Sequence, residues 1–255
     1  MCVLLLAKNV HPEYKLIIAA NRDEFYNRPA EPARLREPDL FAGKDLKEGG
    51  TWLGITMQGK FAAITNYRDL RKINHAAPSR GHITSDYLTG DFSPVEYYHH
   101  LKPKAHLYNG FNLVWGAIDE LYYYSNVNDN LVKIDDGIHV VSNAFLNTPW
   151  HKVKIIRERM QQILNAGEID KLKLLDLLRD RTPAPDEDLP DTGVGTELER
   201  KLSPVFVHMD EYGTRCSTII MTDKKLKTEF LESVYDSEGN QTAIQSTDFQ
   251  LSRNV

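Results

Sequence analysis

The sequence has little cysteine, no excess of basic residues and no long apolar run. Its two cysteines, Cys2 and Cys216, are too few for a disulfide framework and show no CxxC spacing. This is typical of a reducing compartment, so we expect a cytoplasmic location. The net charge of −5, with both signs interleaved along the chain, provides no basic surface for phosphates. Nucleic acid is therefore not an expected partner.

Other absences exclude further classes of protein. No apolar run approaches the roughly 20 residues that cross a bilayer, and the opening "VLLLA" lacks the basic flank of a secretion signal. We therefore expect no membrane span. The nine histidines show neither HExxH nor CxxCH spacing, so no metal site is predicted. With 41% hydrophobic and 26% charged residues, the chain is expected to form one globular domain over 1–255.

The sequence contains several short apolar runs that are typical of strands buried on both faces: "VLLLA" (3–7), "LIIAA" (16–20), "IHVV" (138–141) and "STIIM" (217–221). A polar turn with Pro12 joins the first two into a hairpin over 2–21. Two further hairpins are indicated by "GGTWLGITMQGKFAAITNY" and "FNLVWGAIDELYYYSN", the latter turning near Asp119 and Glu120. The sequence therefore predicts an α+β protein with mainly antiparallel sheets, layered with helices.

Helices are predicted in two blocks. The first covers 79–102 and is interrupted at Gly90 and restarted at Pro94. In the second, Thr148 is the expected cap of a helix that runs to about Asn165 and turns Lys152 toward solvent. A leucine-rich helix follows over 169–179. The segment 181–197, "RTPAPDEDLPDTGVGTE", is predicted to be a long loop, and loops of this length are often lids.

Cys2 raises the question of chemistry. A buried cysteine in a first strand is ordinarily a small apolar filler. Position 2 favours another interpretation, because removal of Met1 before a small second residue would leave a free amine and a thiol on Cys2. Their ordinary pKa values, about 7.7 to 8.0 and about 8.5, are close enough for the amine to accept the thiol proton. One residue would then supply both nucleophile and base.

A charged cluster follows the second strand of the first hairpin. Asn21, Arg22, Asp23 and Glu24 are expected close to Cys2, because a hairpin brings its two ends together. Such clusters are commonly solvated turns. Here they follow a buried apolar strand, so Arg22 is predicted to lower the thiol pKa of Cys2. Either Asp23 or Glu24 would hold its ammonium group.

Seven motifs, in order, resemble a known family. They are "NRDEFYNRP", "GGTWLGI", "TNYR", "SRG", "YNGFNL", "SNAFLNTPWHK" and "YGTRCST". In this order they resemble the NRDE-motif family, also called the transport and Golgi organisation 2 family, from residue 1 to about 235. The resemblance implies an N-terminal nucleophile (Ntn) hydrolase fold, a four-layer αββα sandwich. It further implies a mechanistic kinship with bile-salt hydrolases and penicillin V acylases.

The resemblance also suggests individual roles. Cys2 matches the mature terminal cysteine of those acylases, and Arg22 with Asp23 or Glu24 would flank it. Asn66 is implied as an oxyanion donor, Asn143 as a second polar contact and Arg215 as a late arginine near the thiol. Asparagines at such positions are otherwise turn residues that cap strands. Four residues of the matching motifs are predicted to contact substrate, although the two aromatic ones are equally typical of a core: Glu24, Trp52, Asn109 and Phe111.

Two functions of different classes follow from the resemblance. The first is a cysteine amidohydrolase acting on a small amide, acyl or thioester substrate, with no cofactor. The second is a non-catalytic protein on the same scaffold that binds haem or an acyl lipid, since the family is linked to haem trafficking and acyl-lipid metabolism. The reactivity of Cys2 as a mature terminus distinguishes them.

Overall fold

The computed structural model describes residues 2–36, 38–167 and 169–252, and for Cys2 the backbone only. The strands in the described part are β1 (Cys2–Lys8), β2 (Tyr14–Phe25), β3 (Ala30–Arg36), β4 (Leu40–Asp45), β5 (Leu53–Thr56), β6 (Lys60–Asn66), β7 (Phe111–Ala117), β8 (Glu120–Ser125), β9 (Asn130–Lys133), β10 (Gly137–Val141), β11 (Tyr212–Asp223), β12 (Lys227–Tyr235) and β13 (Gln241–Gln250). The α-helices are α1 (Gly81–Thr89), α2 (Pro94–Leu101), α3 (His151–Asn165), α4 (Lys171–Leu178) and α5 (Thr196–Leu202).

These strands form two antiparallel sheets. Sheet A has the order β10-β1-β2-β11-β12-β13, and sheet B has the order β3-β4-β5-β6-β7-β8-β9. Three apolar clusters lie between the layers. One joins α3 and α4 to sheet A, one fills the space between the sheets, and one joins sheet B to α1 and α2. The fold is therefore an αββα sandwich of class α+β, as predicted.

The continuous apolar runs are explained by these layers. In β1, Val3 and Leu5 pack toward the helices while Leu4 and Leu6 pack between the sheets. A strand buried on both faces needs apolar residues at every position rather than at every second one. The three predicted hairpins are confirmed as β1–β2, β5–β6 and β7–β8.

The first helical block is also confirmed. Helix α2 begins at Pro94, as predicted: Ser93 caps the Glu96 N–H, and the Glu96 carboxylate accepts the Ser93 N–H. This reciprocal capping box satisfies two of the donors that every helix start leaves open.

The predicted start of α3 is wrong. Thr148 and Pro149 lie in the preceding turn, and the helix begins at His151 after an extended Trp150. The turn is closed by hydrogen bonds from the Thr148 N–H to the Phe145 carbonyl and from the Trp150 N–H to the Thr148 carbonyl.

The outward orientation predicted for Lys152 is wrong as well. Its residue is 2% exposed, because the first turn of α3 lies on sheet A beside the buried Asp23 of β2.

Candidate active site

Strand β2 contains all four NRDE residues. We predicted a hairpin over 2–21, and the pairing of β11 with β2 extends the strand as far as Phe25. Successive side chains of a strand point to opposite faces, so the four residues do not form one cluster. Arg22 faces the space between the sheets, whereas Asn21 and Asp23 face the helical layer.

The side chain of Asn21 forms structural hydrogen bonds. Its amide group donates to the carbonyls of Leu178 and Val205, at 2.8 and 3.0 Å, and its oxygen accepts the Ser217 hydroxyl at 2.6 Å. Asn21 thereby joins the end of α4 and the 205 region to sheet A.

Arg22 is the cation of the cleft between the sheets. Its guanidinium lies 4.3 Å from the centroid of the Trp52 ring and 3.2 Å from the Asp45 carboxylate. The indole fits flat against β4 because residue 43 is glycine: a Cβ there would lie 2.2 Å from Cη2 of Trp52. Trp52 is thus placed in the site, as predicted, through its contact with Arg22.

Asp45 serves two arginines. The same carboxylate oxygen that contacts Arg22 accepts the Arg28 Nε at 2.6 Å, and the other oxygen accepts the N–H groups of Lys47 and Glu48. Burial opposes ionisation of Asp45, but these hydrogen bonds and the two guanidinium charges hold its pKa below the ordinary value. Arg22 therefore has an ionised partner, and part of its charge is neutralised.

The backbone register brings the predicted nucleophile to Arg22. Cys2 is paired with Arg22 across β1 and β2, and Cys216 is paired with Arg22 from the other side, across β11. The Cys2 side chain lies outside the described residues. Two interstrand steps of about 4.8 Å separate the Cα atoms of Cys2 and Cys216 by about 10 Å, beyond the reach of a disulfide. The two cysteines therefore belong to one row of backbone partners in sheet A, with Cα atoms too far apart for a disulfide.

Asp23 lies on the opposite face of β2, in a polar pocket under α3. It is 2% exposed, its Oδ1 accepts the Thr214 hydroxyl at 2.7 Å, and its carbonyl accepts the Tyr212 hydroxyl at 2.9 Å. Burial raises its pKa, while the charge of Lys152 and the Thr214 hydrogen bond oppose the rise. A buried lysine therefore accompanies a buried aspartate next to the strand end that carries Cys2.

Asn66 and Asn143 are joined by a hydrogen bond, and neither lines the cleft. The Asn143 amide donates to the Asn66 carbonyl at 2.9 Å, and the Asn143 carbonyl accepts the Arg68 N–H at 2.8 Å. Asn143 is 1% exposed. These bonds fix the end of β6 against the loop that follows β10, next to Thr65 in the cleft wall. The oxyanion role of both amides stays a prediction.

Arg215 lies at the same strand ends, in a bulge of β11 between Thr214 and Cys216. Its Nη1 donates to the carbonyls of Phe25, Tyr26 and Arg28, at 2.9 to 3.2 Å. Burial and the nearby charge of Arg22 lower the pKa of Arg215. Arg215 is thus beside Arg22, and its bonds hold the turn that follows the NRDE segment.

The remaining predicted contacts are placed differently. Glu24 accepts the N–H of the adjacent Phe25 at 2.9 Å and lies 3.8 Å from Arg28, at the rim of the Arg28–Asp45 group. Asn109 exchanges two hydrogen bonds with Asn74, each 2.8 Å long. Phe111 is fully buried in the cluster under α1 and α2. The structure does not bring Asn109 and Phe111 into the cleft.

The cleft itself lies between the sheets and is narrow, with a volume of about 10 Å³, the space of about one water molecule. Its walls are mostly apolar, and Arg22 is the charged residue among them. The lining is Val3, Leu4, Ala20, Asn21, Arg22, Trp52, Leu53, Ala63, Ile64, Thr65 and Thr218.

Thr192 is one of the residues that anchor the segment predicted as a lid. Thr192 accepts the Leu70 N–H through its carbonyl at 3.2 Å. Its own N–H and hydroxyl both donate to Glu199 of α5, which forms an ion pair with Arg68 at 2.8 Å. Most other residues of 181–197 are exposed. The segment thus lies against the chain that continues from Asn66, and its opening over the cleft stays a prediction.

Sequence reasoning missed Asp45 and Lys152. The pattern "GKDLKEGG" around Asp45 indicates only a turn. It gives no sign of an ion pair, because the two arginines that pair with Asp45 belong to β2 and to the turn that follows β2. Lys152 was assigned to solvent from its residue type. The signal present in the sequence was its place in "SNAFLNTPWHK", the motif that also contains Asn143.

The described residues contain no metal-binding cluster and no membrane-spanning helix. Within 2–36, 38–167 and 169–252, no three acidic, histidine or cysteine side chains are arranged to hold a metal ion. In the same ranges, no helix has the length and apolar character needed to traverse a bilayer.

The fold is similar to that of a solved protein structure. The structure resembles a mutant of the conjugated bile acid hydrolase from Clostridium perfringens, with a TM-score of 0.55 over 98% of this chain and 92% of that chain. The two sequences are 9% identical, so the likeness concerns the fold alone.

The family follows from sequence similarity. Residues 1–237 match the model of the family described as Transport and Golgi organisation 2. Similar proteins include the Transport and Golgi organization protein 2 homolog of Bos taurus, 34% identical, and that of Homo sapiens, 33% identical; each comparison covers 98% of this chain and 99% of the relative. The chain belongs to the Transport and Golgi organisation 2 family.

Proposed function

We propose that the protein is a cysteine amidohydrolase of the Ntn type that acts on a small amide, acyl or thioester substrate. Cys2 is the nucleophile after removal of Met1. The observation that carries the proposal is the register of β1 and β2, which pairs Cys2 with Arg22 at the apolar cleft. A cation next to a thiol favours the thiolate, and the thiolate is the reactive form.

In the acylation step, the α-amine of Cys2 accepts the thiol proton and the sulfur attacks the substrate carbonyl carbon. The carbonyl electrons move to oxygen, and the side-chain amide of Asn66 stabilises the resulting oxyanion. When the tetrahedral intermediate collapses, the bond to the leaving amine or thiol breaks. The α-ammonium group then protonates the leaving group, which produces a thioester on Cys2.

In the second step, water attacks the thioester and transfers a proton to the α-amine. Collapse of this intermediate releases the carboxylic acid and returns the proton to the sulfur. Asp23 and Lys152 stabilise the strand end that carries the reacting residue, since both are buried and Asp23 directly follows Arg22, the strand partner of Cys2. The segment 181–197 acts as a lid whose fixed end is the Arg68–Glu199 ion pair.

The alternative is a carrier that binds haem or an acyl lipid without turning it over. Two observations favour it: the cleft walls are largely apolar, and Asp45 neutralises part of the charge of Arg22. In a carrier, Cys2 needs no special reactivity. The two proposals therefore differ in the chemistry of one residue.

Intact-mass analysis distinguishes them. The purified protein is incubated with a thiol-alkylating probe or with an acyl thioester, in the wild type and in Cys2→Ser and Cys216→Ser variants. The hydrolase is expected to lack Met1, to gain one adduct rapidly at neutral pH, and to lose it in Cys2→Ser but not in Cys216→Ser. Slow, equal labelling of both cysteines in a chain that lacks Met1 contradicts the hydrolase. Haem or lipid titration that is unchanged in Cys2→Ser then supports the carrier.

A further inference from the structure

Glu232 is a carboxylate buried between the two sheets. It belongs to β12 of sheet A and is 1% exposed. Its Oε1 accepts the N–H of Ala33 at 2.7 Å, and Ala33 belongs to β3 of sheet B. Its Oε2 accepts the hydroxyl of Thr218 at 3.1 Å, and Thr218 lines the cleft. Glu232 therefore connects the cleft wall to the opposite sheet.

Burial of a carboxylate in an apolar layer is unfavourable. Moving it out of water raises the free energy of the folded state far more than moving an amide or hydroxyl does, unless hydrogen bonds and an opposite charge compensate. The donors to Glu232 are the neutral groups of Ala33 and Thr218 and the thiol of Cys216. Burial accordingly raises its pKa, and the opposing influences are these hydrogen bonds and the positive charge of Arg22.

The charged neighbours of Glu232 lead back to the candidate active site. Arg22 is the cation that acts on it from β2, and Cys216 is the titratable group that contacts it from β11. Arg22 is the central member of the row in which Cys2 and Cys216 are paired on either side. Asp45 contacts Arg22 directly at 3.2 Å, so two carboxylates act on one cleft guanidinium.

We propose that Glu232 is a positioning residue that sets the electrostatic potential of this row: its negative charge opposes the effect of Arg22 on the thiol of Cys2. Protonation of Glu232 removes that opposition and strengthens the influence of Arg22. The proposal deepens the hydrolase proposed above and rests on it for the role of Cys2. Nothing in the motif "NRDE" points to Glu232, which lies more than two hundred positions later in the chain.

The test compares alkylation rates of Cys2 as a function of pH in Cys216→Ser protein with and without Glu232→Gln. The glutamine retains an oxygen for the Ala33 N–H, and the Thr218 hydroxyl can rotate to accept from the amide, so the fold is expected to persist. The variant-to-parent rate ratio should be near one at acidic pH, where the parent carboxyl is protonated, and should rise to about three where that carboxyl is ionised and the thiol is still mostly protonated. It should return toward one in alkaline solution, where the thiol is ionised in both proteins. A threefold ratio corresponds to about half a unit of thiol pKa. A ratio that does not change with pH overturns the proposal.

Glu229→Gln is the matched control, because Glu229 belongs to the same strand but forms a partly exposed ion pair with Lys171. Its ratio should stay near one throughout. If Cys2 of the wild type is unreactive, the hydrolase proposal fails, and a titration of the Glu232 carboxyl followed by ¹³C NMR decides this inference. Arg22→Met should then raise the midpoint by about half a unit or more. An unchanged midpoint means that Arg22 does not act on Glu232.

Discussion

Two buried arginines of this molecule have the same kinds of direct partner but differ in the environment of the ion pair that each forms. Arg22 lies 4.3 Å from the centroid of Trp52, and Arg68 lies 4.7 Å from the centroid of Trp150. Each is paired with a carboxylate, Arg22 with Asp45 at 3.2 Å and Arg68 with Glu199 at 2.8 Å. Both are thus desolvated guanidinium groups on an indole ring with an acidic partner.

The difference lies in what surrounds each pair. Arg68 and Glu199 are both 3% exposed at the side chain, and Thr192 saturates one oxygen of the glutamate with two hydrogen bonds. Asp45 is 11% exposed at its side chain and divides its charge between Arg22 and Arg28. The Arg68–Glu199 pair is shielded from solvent and connects segments of the chain. In the Arg22–Asp45 pair, part of the positive charge of Arg22 still acts on the cleft. Similar sets of residues therefore hold the fold together in one place and, in the proposed hydrolase, influence the reacting thiol in the other.

The largest effect is expected from breaking the Arg68–Glu199 pair. Glu199→Ala leaves the Arg68 guanidinium buried without its carboxylate, and removal of one partner of a buried pair costs about 3–5 kcal/mol. The free energy of unfolding, measured by urea denaturation, should fall by that amount. Glu197→Ala on the same helix is the control, since its carboxylate is 80% exposed, and it should stay within about 0.5 kcal/mol of the wild type. A loss for Glu199→Ala as small as that of the control would mean that the two pairs do not differ as described.

A smaller effect, on chemistry rather than stability, is expected from Arg22→Met. Methionine retains the packing on Trp52 and removes the charge, so the thiol pKa of Cys2 should rise and alkylation at neutral pH should slow about tenfold, equivalent to about one pKa unit. The rate is followed by mass spectrometry of the labelled protein. Arg28→Met serves for comparison and should act more weakly, because Arg28 is not paired with Cys2 in the sheet. Equal rates in wild type and Arg22→Met would show that Asp45 cancels the charge of Arg22 completely.

Asp45→Asn should change the same rate in the opposite direction. The asparagine oxygen can still accept the N–H groups of Lys47 and Glu48, while the negative charge that offsets Arg22 is lost. Alkylation of Cys2 should become about threefold faster, or about half a pKa unit. In the double variant Asp45→Asn/Arg22→Met, alkylation of Cys2 should no longer be faster than in Arg22→Met alone. If it is still faster, the increase comes from Arg28.

The smallest effect concerns the pH dependence of stability. The pKa of Asp45 is lower in the folded state than in the unfolded state, so its ion pairs stabilise the fold at neutral pH. This contribution begins to fall as pH approaches the unfolded value of about 3.9 and is lost once pH falls through the lower folded value. Below about pH 5, the unfolding free energy of the wild type should therefore decrease more steeply with falling pH than that of Asp45→Asn. Parallel curves from urea denaturation at each pH would show that the carboxylate contributes equally in both states.

Much of the fold could be predicted because its signals are local. The hairpins follow from apolar runs separated by polar turns, and the start of α2 follows from Ser93, Pro94 and Glu96 acting within one helical turn. The error at α3 had a local appearance too, since Thr148 and Pro149 fit a helix start. Hydrogen bonds in the preceding turn hold both residues outside the helix, and those bonds are not visible in a residue pattern.

The candidate site was predictable only in part. Arg22, Asn66 and Asn143 were found through motifs, and the structure places the first at the cleft and joins the other two. Phe111, from an equally clear motif, is core. A motif identifies residues that occur together in a family. Successive residues of a strand, however, face opposite layers of the fold. The layer that a side chain faces decides whether it meets a ligand or a helix.

The sequence by itself determined the family, the antiparallel hairpins and the placement of Cys2 opposite the NRDE strand, because each depends on neighbours along the chain or on one hairpin register. Only the tertiary structure decided which charges meet. Asp45 reaches Arg22 from another sheet, Lys152 lies over Asp23 from a helix, and Glu232 reaches the row of Arg22 from the far end of the chain. The physical reason is that the energy of a buried charge depends on the groups within a few ångströms of it, and those groups come from segments with no sequence relationship to one another.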